Sequence, residues 1–210
     1  MTAVIYVEAW ERDTRLRALG CKRSQLIDVV QACVAARGGC TENDPKSAPG
    51  YEAWRAGTRR LREIFLPEGW EKEDLNGIEA IVHHERKLRI SVVNTDSGTA
   101  DISQSPRNRT CKGSATEKVI DLNNQLELDI PRLGDCVTDE RGYSTWHLCV
   151  FDDGNVARAE LACPIEFKSG YFVKFKERIF IVGPGEWDNT GFSSRDADLG
   201  PDVEIKIRRK

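Results

Sequence analysis

The stretch that decides the fold is TWHLCVFDDGNVARAELAC, residues 145–163. Two apolar runs flank the polar sequence DDGN at 152–155. An Asp-Gly pair between two such runs is the strongest short-range signal for a β-hairpin. We therefore predict that residues 145–151 and 156–163 are antiparallel strands joined by a tight turn.

Other runs share this strand-like character, because they are short, rich in β-branched or aromatic residues and bounded by turn residues. They are residues 78–83, 88–93, 171–175, 179–182 and 203–207. The first two form a predicted hairpin, and a turn over 164–170 leads from the central hairpin into the next two. The last run alternates apolar and charged residues, which predicts a strand with one charged face.

The first part of the chain has helical periodicity instead. Apolar residues recur at helical spacing from Ser24 onward, and Gly38-Gly39 end this predicted helix. A second helix is predicted over residues 51–65. Residues 4–19 fit either a short strand followed by a helix or a single helix.

These elements predict an α+β fold in which N-terminal helices pack on one face of a mainly antiparallel β-sheet. A helical segment over residues 1–74 would precede an α+β body over residues 75–210, and we expect both to form one compact unit. The chain has 210 residues, which suits one large domain or two small ones.

Composition and charge restrict the class of protein. Hydrophobic residues make up 40% and charged residues 31% of the chain, as is ordinary for a soluble globular protein. A net charge of −3 argues against a protein that coats nucleic acid without sequence specificity, but it allows a local basic patch. The start, MTAVIYVEAWERD, does not resemble a signal peptide, and no apolar stretch approaches the roughly 18 residues of a membrane helix. We therefore expect a cytoplasmic protein that does not engage membranes; its oligomeric state is left open.

Seven cysteines are present, and none of them forms a CxxC pair. Tetrahedral zinc sites usually show two close pairs of ligands, and this chain lacks that spacing. We expect reduced, structural thiols, no metal site and no bound cofactor.

The stretch NTDSGTADISQSPRNRTCKGSATE, residues 94–117, is the candidate functional segment. It has almost no apolar residues, and loops of this length inside compact domains are usually functional or disordered. Ser114 and the glutamate three positions later fit a capping box, which predicts a helix from residue 115 to about 126. Free N–H groups at a helix start favour anions, so we predict anion or partner binding by Arg107, Arg109, Lys112 and Ser114. The order of residues around Lys112 is not that of a P-loop.

A second basic surface is predicted on the helix over residues 51–65. Arg55, Arg59 and Arg62 fall at i, i+4 and i+7 and so form one stripe. They can pair with Glu52 and Glu63 as a solvated face, or they can contact phosphate groups.

Carboxylates offer the candidate catalytic chemistry. Asp96 and Asp101 follow a predicted strand end, where they could act as acid and base or hold a cation, although aspartates also favour turns for local reasons. The sequence Glu166-Phe167-Lys168 has the E-x-K form found in nucleases, with Asp152-Asp153 upstream. Both of these acidic groups are predicted to lie in turns, which weakens the nuclease interpretation.

The histidines and tryptophans give less specific signals. His83 and His84 are adjacent in a predicted strand region, so they would point to opposite faces, and His147 lies on another predicted strand. Trp10, Trp54 and Trp146 occur in periodic segments, which predicts core positions. Trp70 and Trp187 lie in predicted loops, where a tryptophan can mark an interface.

The sequence favours a binding protein because its basic residues cluster and its catalytic candidates do not. The expected ligand is a phosphate-bearing molecule, a nucleic acid or a nucleic-acid-handling protein, bound through residues 94–117. One alternative is a small metal-assisted hydrolase or nuclease that uses Asp96 and Asp101. The other is a protein-interaction module, an inhibitor or adaptor that binds a partner through Trp70 or Trp187. The expected partner of the basic cluster is a nucleic acid or an acidic protein surface.

Overall fold

A computed structural model describes residues 3–75, 77–128 and 142–187 of the chain. The elements in chain order are β1 (Val4–Tyr6), α1 (Ala9–Ala18), α2 (Arg23–Gly38), α3 (Ala48–Phe65), a short 3-10 turn (Leu66–Glu68), β2 (Glu71–Leu75), β3 (Ile78–His83), β4 (Leu88–Asn94), α4 (Ser114–Leu128), β5 (Ser144–Asp152), β6 (Ala157–Lys168) and β7 (Tyr171–Val182). Within these ranges the strands form one sheet in the order β1-β7-β6-β5-β4-β3-β2. None of the helices described is long and apolar enough to cross a membrane.

The predicted hairpins are confirmed. β5 and β6 pair antiparallel across the Asp-Gly turn, with His147 opposite Ala162 and Asp152 opposite Ala157. β3 and β4 also pair antiparallel, and β6 continues the meander into β7. Residues 4–19 form a short strand followed by a helix, which settles the alternative left open above.

Two parts of the predicted fold class are wrong. The sheet is mixed, because β4 pairs parallel with β5 and β1 pairs parallel with β7. The helices are not all N-terminal, because α4 lies between β4 and β5. For β4 and β5 the two errors have one cause: parallel neighbours cannot be joined by a tight turn and need a crossover, which commonly contains a helix.

Several strand boundaries also differ from the predicted ones. β2, with the sequence EKEDL, was not predicted, since a charged edge strand has no apolar alternation. β6 continues through Pro164 to Lys168, so Glu166 lies in a strand and not in the predicted turn. β7 is one continuous strand. The strand predicted at 203–207 lies outside the described residues.

One face of the sheet packs against α1, α2 and α3 and forms the larger apolar core. Fully buried aliphatic and aromatic side chains from the helices meet those from the strands. They include Leu16, Leu26, Leu61 and Phe65 from the helices and Leu148, Leu161, Ile179 and Ile181 from the strands. Each such side chain stabilises the fold by about 1.5–3 kcal/mol relative to full exposure.

The opposite face of the sheet is unusually polar. α4 covers part of it with a small apolar cluster that contains Ile120. The rest carries buried polar side chains, which are Arg89, Ser91, Thr145, His147, Glu160 and Arg178. Residues 95–112 cover the part of this face around Glu160 and Arg178 and supply hydrogen-bond partners to both side chains, as buried polar groups require.

The burial of the tryptophans differs in part from the prediction. Trp146 is buried as predicted, but Trp10 is 72% exposed. Trp70, predicted as a loop residue, is only 3% exposed and packs edge-on against Phe65. Trp187 packs partly buried against the larger core.

Close packing of α3 on α2 and β4 leads to a stability prediction at Gly57. A Cβ atom there would lie 2.3 Å from Cys33 Sγ and 3.2 Å from a Val92 methyl carbon. We expect Gly57→Ala to destabilise the fold by about 1–3 kcal/mol, as overpacking of a core does. The matched control is Gly38→Ala in α2, where a Cβ meets nothing within 4 Å and the change should stay under about 1 kcal/mol. Urea unfolding of both variants measures the difference, and equal midpoints would contradict this packing.

Candidate anion-binding site

Residues 95–112 are held in place by a buried asparagine. The side chain of Asn108 is 1% exposed, and its amide donates to the carbonyl oxygens of Thr110 at 2.7 Å and Gly170 at 2.8 Å. Its Oδ1 accepts the backbone N–H of Phe172 at 2.9 Å. Asn108 also bridges to Thr95 through the backbone. Hydrogen bonds of a buried polar side chain thus anchor this segment to the sheet.

A buried ion pair anchors the same segment at a second place. Arg178 donates to both carboxylate oxygens of Glu160, at 2.8 and 2.6 Å. Arg178 also donates to the carbonyl oxygens of Gln104 at 2.8 Å and Gly98 at 3.2 Å, and Glu160 accepts the N–H of Ala100 at 2.6 Å. Burial raises the pKa of Glu160, although Arg178 and the Ala100 N–H oppose that shift.

The two candidate catalytic aspartates are used by the loop itself. Asp96 Oδ1 accepts the backbone N–H groups of Gly98 at 3.2 Å and Arg107 at 3.0 Å. Asp101 Oδ1 accepts both the hydroxyl and the N–H of Ser103 at 2.7 Å, and these bonds lower the pKa of Asp101. Both carboxylates therefore act as turn-stabilising acceptors, the local role that aspartates often have in turns.

Cysteines and other possible metal ligands do not form a site in the described part of the chain. The cysteines that the structure describes are free thiols, and Cys136 lies outside the described residues. Among the residues described, no group of three His, Cys, Asp or Glu side chains is placed to hold a metal ion.

The predicted basic cluster divides into two parts. Arg107 lies over the ring of Tyr171, with its guanidinium carbon 3.8 Å from the ring centroid. Arg109 instead donates to the carbonyl oxygens of Thr95 at 3.0 Å and Asp152 at 3.2 Å. Lys112 is half-buried, and burial lowers the pKa of its ammonium group.

Arg109 and Lys112 line a cleft of about 520 Å³ between the start of α3 and the loop. The cleft is also lined by Arg37 at the end of α2, Lys46 before α3, and the aromatic residues Tyr51 and Trp54. This volume lies within the roughly 300–1,000 Å³ of typical ligand pockets. The structure does not place Arg107 or Ser114 among the residues that line the cleft. No sequence pattern indicates Arg37 or Lys46, because only the packing of α2 against α3 brings them to the loop.

Positive charge in this cleft is only partly compensated. Arg37 pairs with the buried carboxylate of Asp152 at 3.6 Å. Burial and the neighbouring Arg37 both lower the pKa of Arg109, although Asp152, Asp153 and Asp96 oppose this. Within the described ranges no acidic partner is seen for the ammonium group of Lys112 or of Lys46. An anion would relieve the repulsion between Arg37 and Arg109.

The comparisons with known proteins add nothing to this chemistry. No protein-family model, curated protein or solved structure matches the chain. The function is therefore inferred from the arrangement of the residues themselves.

The arginine stripe on α3 differs from the cleft in its electrostatics. Each of its three guanidinium groups has a carboxylate partner. The pairs are Arg55–Glu52 at 2.7 Å, Arg59–Glu63 at 3.8 Å and Arg62–Glu79 at 3.0 Å, and Arg62 also contacts Asp74. Neutralised guanidinium groups attract a phosphate less strongly than the cations of the cleft.

A buried histidine lies beside the cleft. His147 is 2% exposed, stacks on Phe172 at a centroid distance of 4.9 Å and contacts Ser91 Oγ through Nδ1 at 2.7 Å. Burial, then the charges of Lys112 and Arg89, lower the pKa of His147 to about 3, so its ring is neutral at pH 7. The sequence did not indicate this contact, because it depends on the unpredicted parallel pairing of β4 with β5, which places Ser91 opposite His147.

The other two histidines have local contacts. His83 stacks edge-on with Trp70 at 5.2 Å. His84 follows β3 and lies between Glu71, at 3.2 Å, and the hydroxyl of Tyr143.

Proposed function

We propose that this protein binds a phosphate-bearing ligand in the basic cleft, and that the ligand is a nucleotide or a short single-stranded segment of nucleic acid. The proposal rests on one observation: four cations line the cleft and are only partly neutralised. They are Arg37, Lys46, Arg109 and Lys112. Placing like charges together and burying one of them is unfavourable unless a counter-charge is present. A phosphate group supplies that counter-charge.

The start of α3 supports the same ligand. Ser47 precedes this helix and its side chain makes no capping hydrogen bond. Ser47, Pro49 and Gly50 line the cleft, so the first turn of the helix faces it. The positive end of the helix dipole adds to the side-chain charges and favours an anion at this point.

Aromatic rings at the mouth of the cleft favour a ligand that carries a base. Tyr51 is 55% exposed and lies 5.8 Å from Trp54, measured between ring centroids. A free aromatic face beside cations is the arrangement that single-stranded nucleic acids use, with bases stacked and phosphates paired. A bare inorganic anion would leave Tyr51 without a role.

Paired charge reversals on either side of Tyr51 test the proposal. Lys46 is exposed in the cleft, whereas Arg59 is exposed on the arginine stripe. We expect Lys46→Glu to weaken binding of a fluorescent oligonucleotide by roughly tenfold, equivalent to about 1.4 kcal/mol. Arg59→Glu should change binding by less than about twofold, and wild-type affinity should fall as salt screens the phosphates.

Fluorescence anisotropy at two salt concentrations measures these effects. A larger loss of affinity with Arg59→Glu than with Lys46→Glu would place the binding site on the arginine stripe. It would contradict binding in the cleft. Absence of binding by the wild type would contradict the proposed ligand class.

A further inference from the structure

A small cavity lies beside the cleft, at the edge of the sheet where β3 begins and β4 ends. Its volume is about 50 Å³, several times the about 10–15 Å³ that one water molecule needs. Trp54 and Lys112 line both the cavity and the cleft. The inner wall is made by Ser91, His147 and Phe172, with Thr116 contributed by α4.

The ring of His147 has one nitrogen in use and one free. Nδ1 contacts Ser91 Oγ, whereas Nε2 is buried with no hydrogen-bond partner in the described part of the chain. A buried polar atom without a partner costs about 1–3 kcal/mol. In native proteins such an atom usually bonds to an ordered water, an ion or a ligand.

The hydrogen-bond arrangement indicates which tautomer the neutral ring adopts. Among the residues described, the Ser91 hydroxyl has no acceptor for its hydrogen other than His147 Nδ1. If the hydroxyl donates to Nδ1, the ring proton resides on Nε2. His147 then presents an N–H donor that lacks an acceptor.

Lys112 supplies a second donor at the same cavity. Its backbone N–H donates to the Gly170 carbonyl at 3.0 Å, which fixes the start of the side chain. Lys112 and His147 line the same cavity, and the charge of Lys112 contributes to lowering the pKa of the imidazole. Glu79 is the carboxylate on the cavity wall, and it is already paired with Arg62 at 3.0 Å. The cavity therefore offers donors and positive charge to an incoming oxygen anion.

We propose that this cavity is the subsite for a terminal phosphate group, held by the Lys112 ammonium and His147 Nε2–H. The inference rests on the proposed function, because the remainder of the ligand would lie in the cleft. A phosphate inside a strand continues through two ester bonds, and a cavity of this size has room for only the end of a chain. The protein would thus select a nucleotide, or a strand whose 5′ or 3′ end is phosphorylated, over an unphosphorylated strand.

The test compares three probes: inorganic phosphate, an oligonucleotide with a terminal phosphate and the same oligonucleotide without it. We expect phosphate to shift the Nε2 signal of His147 in ¹⁵N NMR, and the terminal phosphate to strengthen oligonucleotide binding at least tenfold. In Lys112→Met the ratio of the two oligonucleotide affinities should fall to about one, so the preference for the terminal phosphate is lost. The matched control is Lys118→Met on the exposed side of α4, which should keep the preference, with melting temperatures used to verify that both variants are folded.

The outcomes separate this inference from the proposal it rests on. Equal binding of both oligonucleotides, with no phosphate effect on His147, would overturn the subsite and leave the cleft intact. A phosphate shift at His147 without binding of either oligonucleotide would support the subsite and overturn the nucleic-acid cleft. Retention of the full preference in Lys112→Met would also overturn the subsite.

Discussion

Replacement of Glu160 by alanine is expected to destabilise the protein by about 3–5 kcal/mol, the range measured when one partner of a buried ion pair is removed. Glu160 is 0% exposed and Arg178 is 2% exposed. Arg178 would keep its charge in a site that water does not reach. The N–H of Ala100, which donates to Glu160 at 2.6 Å, would lose its acceptor as well.

A second ion pair between the same two strands provides the control. Glu166 in β6 pairs with Lys174 in β7, but the side chains of Glu166 and Lys174 are 41% and 56% exposed. Removal of Glu166 should cost under about 1 kcal/mol, because exposed ion pairs contribute little. Urea unfolding of Glu160→Ala and Glu166→Ala gives both values. Similar losses in the two variants would show that burial does not govern the strength of the Glu160–Arg178 pair.

The double replacement Glu160→Met and Arg178→Met separates charge from anchoring. It removes the uncompensated charge, so much of the stability should return. The hydrogen bonds from Arg178 to Gly98 and Gln104 remain lost, however. We expect amide hydrogen exchange to be faster around these two residues than in the wild type, while the β5–β6 hairpin stays protected.

The sequence predicted best those features that depend on neighbouring residues. The turn at 152–155 carries its own signal, so the β5–β6 hairpin was predicted in the correct place. The parallel pairing of β4 with β5 joins segments about fifty residues apart, and no local pattern encodes it. The contact between Ser91 and His147 follows from that pairing and was therefore missed.

The polar loop shows a second limit of sequence patterns. Residues 94–117 have almost no apolar side chains, so periodicity identifies no anchor for them in the core. Instead, Asn108, Glu160 and Arg178 hold residues 95–112 by buried hydrogen bonds. Periodicity identifies apolar burial, but it cannot identify a charged residue that is buried because its partner lies on another strand.

The candidate site was predicted in part for the same reason. Arg109 and Lys112 were identified because they cluster in sequence, and both line the cleft. Arg37 and Lys46 reach it from other elements. Arg107, which belongs to the same sequence cluster, instead lies over Tyr171, so closeness in sequence did not ensure a shared site.

A second large effect is expected at Asn123, which fixes α4 to the sheet. Its Oδ1 accepts the N–H of Thr145 at 2.7 Å, and its Nδ2 donates to the carbonyl oxygens of Thr145 and Pro164, both at 2.8 Å. The side chain is 3% exposed. One amide thus satisfies three buried backbone groups and joins β5 to β6 beneath the helix.

Asn123→Asp keeps the shape of the side chain and changes only its chemistry. The new carboxylate oxygen would face two carbonyl oxygens, so two hydrogen bonds are replaced by repulsion. We expect a loss of about 3–5 kcal/mol at pH 7, comparable to that of other uncompensated buried charges. Asn124→Asp is the control, because Asn124 is exposed on the same helix and the same change there should stay within about 0.5 kcal/mol.

The pH dependence identifies the cause of the loss. Burial against two carbonyl oxygens raises the pKa of the aspartic acid in the folded state above its value in the unfolded chain. The unfolded state then binds fewer protons than the folded state, so the variant gains stability relative to the wild type as the pH falls. Urea unfolding of Asn123→Asp and the wild type at pH 7 and pH 4.5 should therefore show a smaller difference at the lower pH. A difference that does not change with pH would mean that altered packing of α4, and not the buried charge, destabilises the variant.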